Sequence, residues 1–250
     1  MKAIILAAGQ GTRIRAVHGT RPKCLIRFDR TGRTILDQQI DALFSAGISD
    51  IGIVVGYEKE QINQHVARNH GAHLKRFHFI ENPEYAETNN IYSLWGARSW
   101  LQGSSFVILN ADVVFDERVL PPSLSSGAPI TMIVDPAWRD ETMKVIIAGN
   151  RVVRMSKQIP RQDFSATYIG ITAVDAAAHT LLFDRIESLI RRGERSVFFN
   201  VAVQELSDEG LHVAYSETDG LPWAEIDDPG DLAYAKLHVF PMLAQLPVAA

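Results

Sequence analysis

The chain has 250 residues, 46% of them hydrophobic, a length and content that suit one large α/β core better than two independent ones. A formal net charge of −4 provides no basic field for a nucleic-acid backbone, so nucleic acid is not an expected partner and any anion must be met by locally placed cations. One cysteine, Cys24, excludes an intramolecular disulfide and gives no sign of an oxidising compartment.

In chain order, Lys2–Ala8 is a continuous apolar run ended by Gly9, the pattern of a parallel strand buried on both faces. It is too short to span a bilayer, so no membrane association is expected and a cytoplasmic location is the simplest reading. Ile35–Ala46 has helical apolar spacing closed by Gly47, Ile51–Val55 reads as a strand, Glu58–Asn69 as a helix and Leu74–Ile80 as a strand. Asn90–Leu101 then reads as one helix and Phe106–Leu109 as another buried strand. The alternation predicts an α/β fold, a Rossmann-like, mostly parallel sheet flanked by helices, with ligands beyond the carboxyl ends of the strands. From Ile130 the texture changes to short strands at Ile130–Val134, Met143–Ile147, Val152–Met155 and Tyr168–Val174, a smaller antiparallel subregion. Helices are expected at Asp175–Arg192 and Ser196–Ser207, then a strand at Leu211–Tyr215 and a last helix from Pro229.

The first strand runs into Leu6-Ala7-Ala8-Gly9-Gln10-Gly11-Thr12-Arg13, with Arg21-Pro22-Lys23 shortly after. Glycines after a strand let backbone N–H groups approach an anion, and Arg13 and Lys23 supply charge that such a loop lacks. By themselves the glycines read equally as a plain turn. Ile14 occupies the place of the third glycine in a dinucleotide fingerprint, which disfavours a dehydrogenase, and no Gly-Lys-Ser/Thr makes a Walker loop.

Taken together, the loop and Pro22-Lys23 resemble the signature of the sugar-nucleotidyltransferase family. The resemblance continues through Thr88-Asn89-Asn90-Ile91-Tyr92-Ser93-Leu94, Asn110-Ala111-Asp112-Val113-Val114-Phe115, Met143-Lys144-Val145, Ser156-Lys157 and Trp223-Ala224-Glu225-Ile226-Asp227-Asp228. Within the family the chain is most similar to cytidylyltransferases acting on phosphocholine, 2-aminoethylphosphonate and related small phospho-alcohols. That implies a nucleotide-diphospho-sugar transferase type of fold and a magnesium-dependent reaction of CTP with a small phosphate- or phosphonate-bearing acceptor, releasing pyrophosphate. It also implies one domain over residues 1–250, with a nucleotide-binding half at 1–128 and an acceptor-binding half at 129–250. A homodimer is compatible with it.

The resemblance further implies that Leu6, Ala7, Ala8, Gly9, Gly11 and Thr12 wrap the nucleotide, joined by Asn89, Asn90, Ser93, Asn110 and Ala111. Arg13, Lys23 and Lys157 would act on the phosphates, and Lys144, Tyr168, Asn200, Trp223 and Glu225 would face the acceptor. Asp112 and Asp227 would hold Mg2+, an ion that takes hard oxygen ligands and usually few protein carboxylates, and Glu225, which alternates with Asp227, stays open as a third. A phosphate oxygen is already ionised at neutral pH, so no general base is required, only alignment and charge neutralisation.

Simpler readings stand beside these. Asp112 could be a turn or cap aspartate, Asp228-Pro229 suits a helix N-cap followed by proline, and Asn89 could cap the helix from Asn90. Lys157 alone would read as a solvated turn lysine, and aromatic residues such as Trp223 as core. His65, His70, His73 and His78 show no metal-ligand spacing and read as surface or structural residues. The cytidylyltransferases with amine-bearing acceptors are expected to have an acidic residue where this chain has Phe198-Phe199-Asn200-Val201. The neutral Asn200 shifts the expectation toward hydroxyl-bearing phosphonates or phospho-alcohols. The competing functions are a sugar-1-phosphate nucleotidyltransferase and a non-catalytic nucleotide sensor.

Overall fold

The computed structural model describes residues 1–29 and 31–244. Strands β1 (Lys2–Ala7), β2 (Asp50–Val55), β3 (Phe77–Glu81) and β4 (Phe106–Asn110) run parallel in the order β4-β1-β2-β3. Because β1 is covered on both faces, its apolar residues serve two cores. Ile4 and Leu6 pack with Ile91, Leu94, Leu182 and Ile186 on one side, while Ala3 and Ile5 pack with Leu36, Ile40 and Leu43 on the other.

Beyond β4 the sheet changes character. After β5 (Val113–Phe115) come β6 (Ile130–Asp135), β7 (Lys144–Ala148), β8 (Arg151–Ser156), β9 (Ala166–Val174), β10 (Val213–Glu217) and β11 (Trp223–Glu225). Strand β9 is antiparallel to both β4 and β6, β7 and β8 form an antiparallel extension, and β10 closes the far edge parallel to β6. Among the described residues these strands form a nine-stranded sheet, with β5 and β11 forming a separate antiparallel ribbon. The expected Rossmann-like sheet with an antiparallel subregion is therefore present.

Several boundaries differ from the sequence reading. The expected strand at Leu74–Ile80 begins only at Phe77, because Gly71–Arg76 forms 3-10 turns that leave Leu74 44% exposed. The helix over Asn90–Leu101 is broken at Ala97 into Asn90–Gly96 and Arg98–Leu101. The helix from Ser196 starts at Asn200 instead, after an irregular segment. Among the described residues, no helix is long and apolar enough to cross a membrane.

The helix Ile35–Ser45 starts at a capping box, Thr34 with Asp37, and Asp37 is also the centre of a polar cluster. Its Oδ1 accepts hydrogen bonds from His65 and His70, each at 2.8 Å, and its Oδ2 accepts from the Thr34 hydroxyl at 2.7 Å and amide at 2.9 Å. Two of the histidines are thus structural, and His73 and His78 stack on Phe44 and Trp100. Burial alone would raise the Asp37 carboxyl, but the hydrogen bonds from His65, His70 and Thr34 outweigh it and hold the group well below the usual carboxylate range.

A carboxylate with a depressed folded pKa stabilises the fold above its unfolded value of about 3.9 and loses that contribution as pH falls below it. Asp37→Asn is accordingly expected to cost about 3 kcal/mol at neutral pH through loss of charge-assisted hydrogen bonds. The gap should narrow on acidification below about pH 4. Denaturant titrations of both proteins at neutral and acid pH check this, and equal stability at neutral pH would refute it.

Candidate active site

The phosphate-loop candidate leaves the carboxyl end of β1 in the middle of the sheet. Gly11 sits in the left-handed region at φ +57°, and a Cβ there would lie 2.8 Å from Lys23 Cγ. Glycine therefore lets the loop rest against the aliphatic stem of Lys23 and direct its ammonium into the cleft. Ala8, at the bend, accepts a backbone hydrogen bond from Tyr57 at 3.1 Å.

The β5/β11 ribbon brings the distant carboxylates to the same place. It pairs Val113 with Glu225, and the Ile226 amide donates to the Asp112 carbonyl at 3.0 Å. Gln39, fully buried in the helix behind, donates from Nε2 to the carbonyls of Asn110 (2.9 Å) and Val113 (2.7 Å), fixing the turn that carries Asp112. On the other side, the Asp231 carboxylate accepts from the amides of Asp227 (2.9 Å) and Asp228 (3.1 Å), and Asp228 caps the helix Pro229–Tyr234. Asp228 is thus the cap and Asp227 the residue that faces the cleft.

Lys23 Nζ lies 3.3 Å from Asp112 Oδ2 and forms a closer ion pair with Asp227, whose other oxygen is 2.6 Å from Arg13. Arg13 also reaches Glu141 at 3.3 Å. Burial works against the Lys23 charge, but Asp112 and Asp227 outweigh it and raise the ammonium above its ordinary value. Asp112 is pushed up by burial, whereas burial of Asp227 is overcome by Lys23 and Arg13, which pull it down. Burial, followed by the fields of Asp112 and Asp227, pushes Glu225 up to about 8. The cleft floor thus gathers three carboxyl groups near one buried cation, with Asp227 the one held most firmly ionised.

The opposite wall is held by side-chain amides. Asn82, just after β3, donates to Thr88 (3.1 Å) and Ser93 (3.0 Å) and accepts from the Glu84 amide (3.0 Å), which fixes the loop from 82 to 89. Asn89 caps the helix Asn90–Gly96 by accepting from the Asn90 amide at 2.7 Å, and it donates to the Ser196 carbonyl at 3.3 Å. Asn90 Oδ1 accepts from the Phe199 amide at 2.9 Å. These bonds clip the irregular segment before Asn200 onto the loop, and Glu84, Tyr92 and Arg195 add an ion-paired cluster. Asn200 is 4% exposed, and its Nδ2 has no hydrogen-bond partner among the described residues. Near it stand the Tyr168 hydroxyl, 2.8 Å from Thr172, and Phe198, whose ring lies 5.2 Å from Lys157 Nζ.

The cleft brings together most residues expected from sequence: Leu6, Ala7, Ala8, Gly9, Gly11, Arg13, Lys23, Asn89, Asn90, Ser93, Asn110, Ala111, Asp112, Lys157, Tyr168, Asn200, Glu225 and Asp227. Three expected residues lie outside its lining. Thr12 turns away at the start of a short 3-10 helix and is exposed. Lys144 folds back, its Nζ donating to the Thr142 carbonyl at 3.1 Å and lying 4.7 Å from the Trp138 ring. Trp223 is core, 2% exposed, paired with Phe115 across the ribbon and covered by the Arg139 guanidinium at 4.4 Å. Sequence reading missed Pro22, Cys24, Asn82, Tyr85, Thr88, Met143 and Phe198. For Asn82 a signal existed, a polar residue directly after a buried-strand pattern at the ligand-bearing edge.

Residues 3–200 match the MobA-like NTP transferase domain. The chain belongs to this family. Among curated relatives, this NTP transferase is 25% identical over 257 residues to CTP:phosphoglutamine cytidylyltransferase of Campylobacter jejuni, covering 93% of this chain and 98% of the relative. It is 40% identical over 121 residues to 2-aminoethylphosphonate cytidylyltransferase of Lancefieldella rimae, a match covering 48% of this chain and 46% of that one. Among solved structures, the inositol-1-phosphate CTP transferase from T. maritima shares the fold, with a TM-score of 0.84 and 23% identity over 100% of this chain and 98% of that one. The CTP:phosphocholine cytidylyltransferase from Streptococcus pneumoniae superposes with a TM-score of 0.76 at 27% identity over 94% of this chain and 97% of that one.

Proposed function

We propose that this NTP transferase moves the cytidylyl group of CTP onto a small phosphate- or phosphonate-bearing acceptor and releases pyrophosphate. The observation that carries the reading is the convergence of the glycine loop, Lys23, Arg13, Asp112 and Asp227 at the carboxyl edge of β1 and β4, together with relatives named for cytidylyl transfer. The acceptor oxygen forms a bond to the α-phosphorus while the bond from that phosphorus to the departing pyrophosphate breaks. Because the attacking oxygen is already ionised, no side chain need remove a proton.

In this mechanism the amides of Gly9 and Gly11 approach the triphosphate, and Lys23 and Arg13 balance charge that grows on the departing group. Lys157, on the acceptor wall, offsets the negative charge of the incoming phosphate or phosphonate. Asp112 and Asp227 form a donor set of hard carboxylate oxygens that already converges on one cation, Lys23 Nζ, so the residues fit Mg2+ with substrate phosphates as further ligands. Such an ion supplies Lewis-acid neutralisation of the triphosphate.

Pyrophosphate release, assayed with CTP, UTP, ATP and GTP against phospho-alcohols, phosphonates and sugar 1-phosphates with and without Mg2+, tests this. CTP with a small phospho-alcohol or phosphonate and Mg2+ is expected to give the highest kcat/KM. Preference for a sugar 1-phosphate would replace the acceptor assignment, and preference for another nucleotide would remove the cytidylyl one.

A further inference from the structure

Two polar groups on the acceptor side of the cleft are left without partners. Asn200, 4% exposed, makes no well-aligned hydrogen bond from Nδ2 among the described residues, and the neighbouring Tyr168 hydroxyl is already engaged with Thr172 at 2.8 Å. Glu225, in β11, lines the same cleft and has neither a hydrogen bond nor an ion pair from its side chain among the described residues. Every other carboxylate facing the cleft is engaged, Asp112 and Asp227 by Lys23. An unmet buried amide donor is costly, so the structure is poised for a ligand that supplies an acceptor there.

We infer that these two groups read a neutral hydroxyl on the acceptor molecule, which accepts from Asn200 Nδ2 and donates to the Glu225 carboxyl. An ammonium could meet Glu225 but has no lone pair for Asn200, leaving that donor buried and unpaired. It would also face the amino end of the helix Asn200–Asp208, where the backbone dipole disfavours positive charge. A carboxylate could accept from Asn200, but it has no proton to give Glu225 and would add a like charge beside Asp112 and Asp227. A methyl group satisfies neither partner. Only a group that both donates and accepts fits the pair, so the substrate class is a hydroxyalkyl phosphonate or a polyol phosphate. Tyr168, whose hydroxyl is shared with Thr172, closes this wall with an aromatic face.

The inference presupposes the transfer reading above, and matched acceptors separate the two. In one series, 2-hydroxyethylphosphonate, 2-aminoethylphosphonate and propylphosphonate are compared with CTP and Mg2+; in the other, ethylene glycol phosphate is compared with phosphoethanolamine. The hydroxyl member of each series is expected to exceed the amine by roughly tenfold and the methyl analogue by about 10²-fold in kcat/KM. Asn200→Asp should reverse the hydroxyl-over-amine preference, and Glu225→Gln should leave a hydroxyl preferred over methyl by a smaller margin. Because the wild-type ranking needs no variant, poor folding of either one does not block the test. Turnover that favours the amine overturns the hydroxyl inference and leaves cytidylyl transfer standing. Absence of pyrophosphate release with every acceptor overturns cytidylyl transfer. In that case, calorimetric binding of the same acceptors to the CTP-loaded protein decides the hydroxyl inference, which fails if the amine binds more tightly.

Discussion

Replacing Lys23 with alanine is expected to lower kcat/KM by roughly 10³-fold, the scale of removing a preorganised charge partner from a transition state. The side chain is mostly buried, rests on Gly11 and serves both Asp112 and Asp227, so no neighbouring residue can take its place. Removing it also leaves two carboxylates facing each other, which should weaken the fold at low magnesium more than at high magnesium. Steady-state kinetics with CTP and the preferred acceptor, paired with thermal melts at both magnesium levels, measure the two effects. A kcat/KM within tenfold of wild type would remove Lys23 from the mechanism. Arg13, about half exposed and on the rim, should matter less because solvent can screen its replacement.

Asp227→Asn is expected to reduce turnover by at least about 10³-fold and to raise the magnesium concentration needed for half-maximal rate, with Asp112→Asn behaving alike. Asparagine preserves shape, so the ribbon and the amide contacts from Asp231 should survive while the hard anionic ligand is lost. The neighbouring position supplies the comparison. Asp228→Asn keeps a good N-cap and should stay within about 1 kcal/mol of wild-type stability with near-normal kinetics. If Asp227→Asn and Asp228→Asn had the same magnesium dependence, the assignment of Asp227 to the ion would fail.

The parallel half of the fold was legible because β1, β2 and β4 are buried on both faces and so read as unbroken apolar runs. At the edge the signal weakens, and β3 presents only Phe77 as a buried residue, which is why its start was misplaced. Strands β5 and β11 have three residues each, too few for any periodicity, yet they bring Asp112 and Asp227 together. The glycine loop and the carboxylates could be named from the family motif, but not their convergence on Lys23. Lys144 and Trp223 were misplaced for the opposite reason: motif order put them near the site, while packing turned one ammonium back to Thr142 and buried the indole under Arg139. The unpartnered amide of Asn200 is a three-dimensional property, because only the folded surroundings decide which of its atoms lack partners.

The ion cluster joins Lys23 to a residue 204 positions further along the chain. A chain emerging from the ribosome can therefore build its glycine loop and most of its central sheet well before it owns a complete charge set. Residues matched by the family domain end at 200, before the strand that presents Asp227. A nascent or clipped product that stops there would carry Arg13 and Lys23 without the Asp227 carboxylate that they share. Assembly of this charge set thus waits on synthesis through Asp227, just beyond the last ribbon.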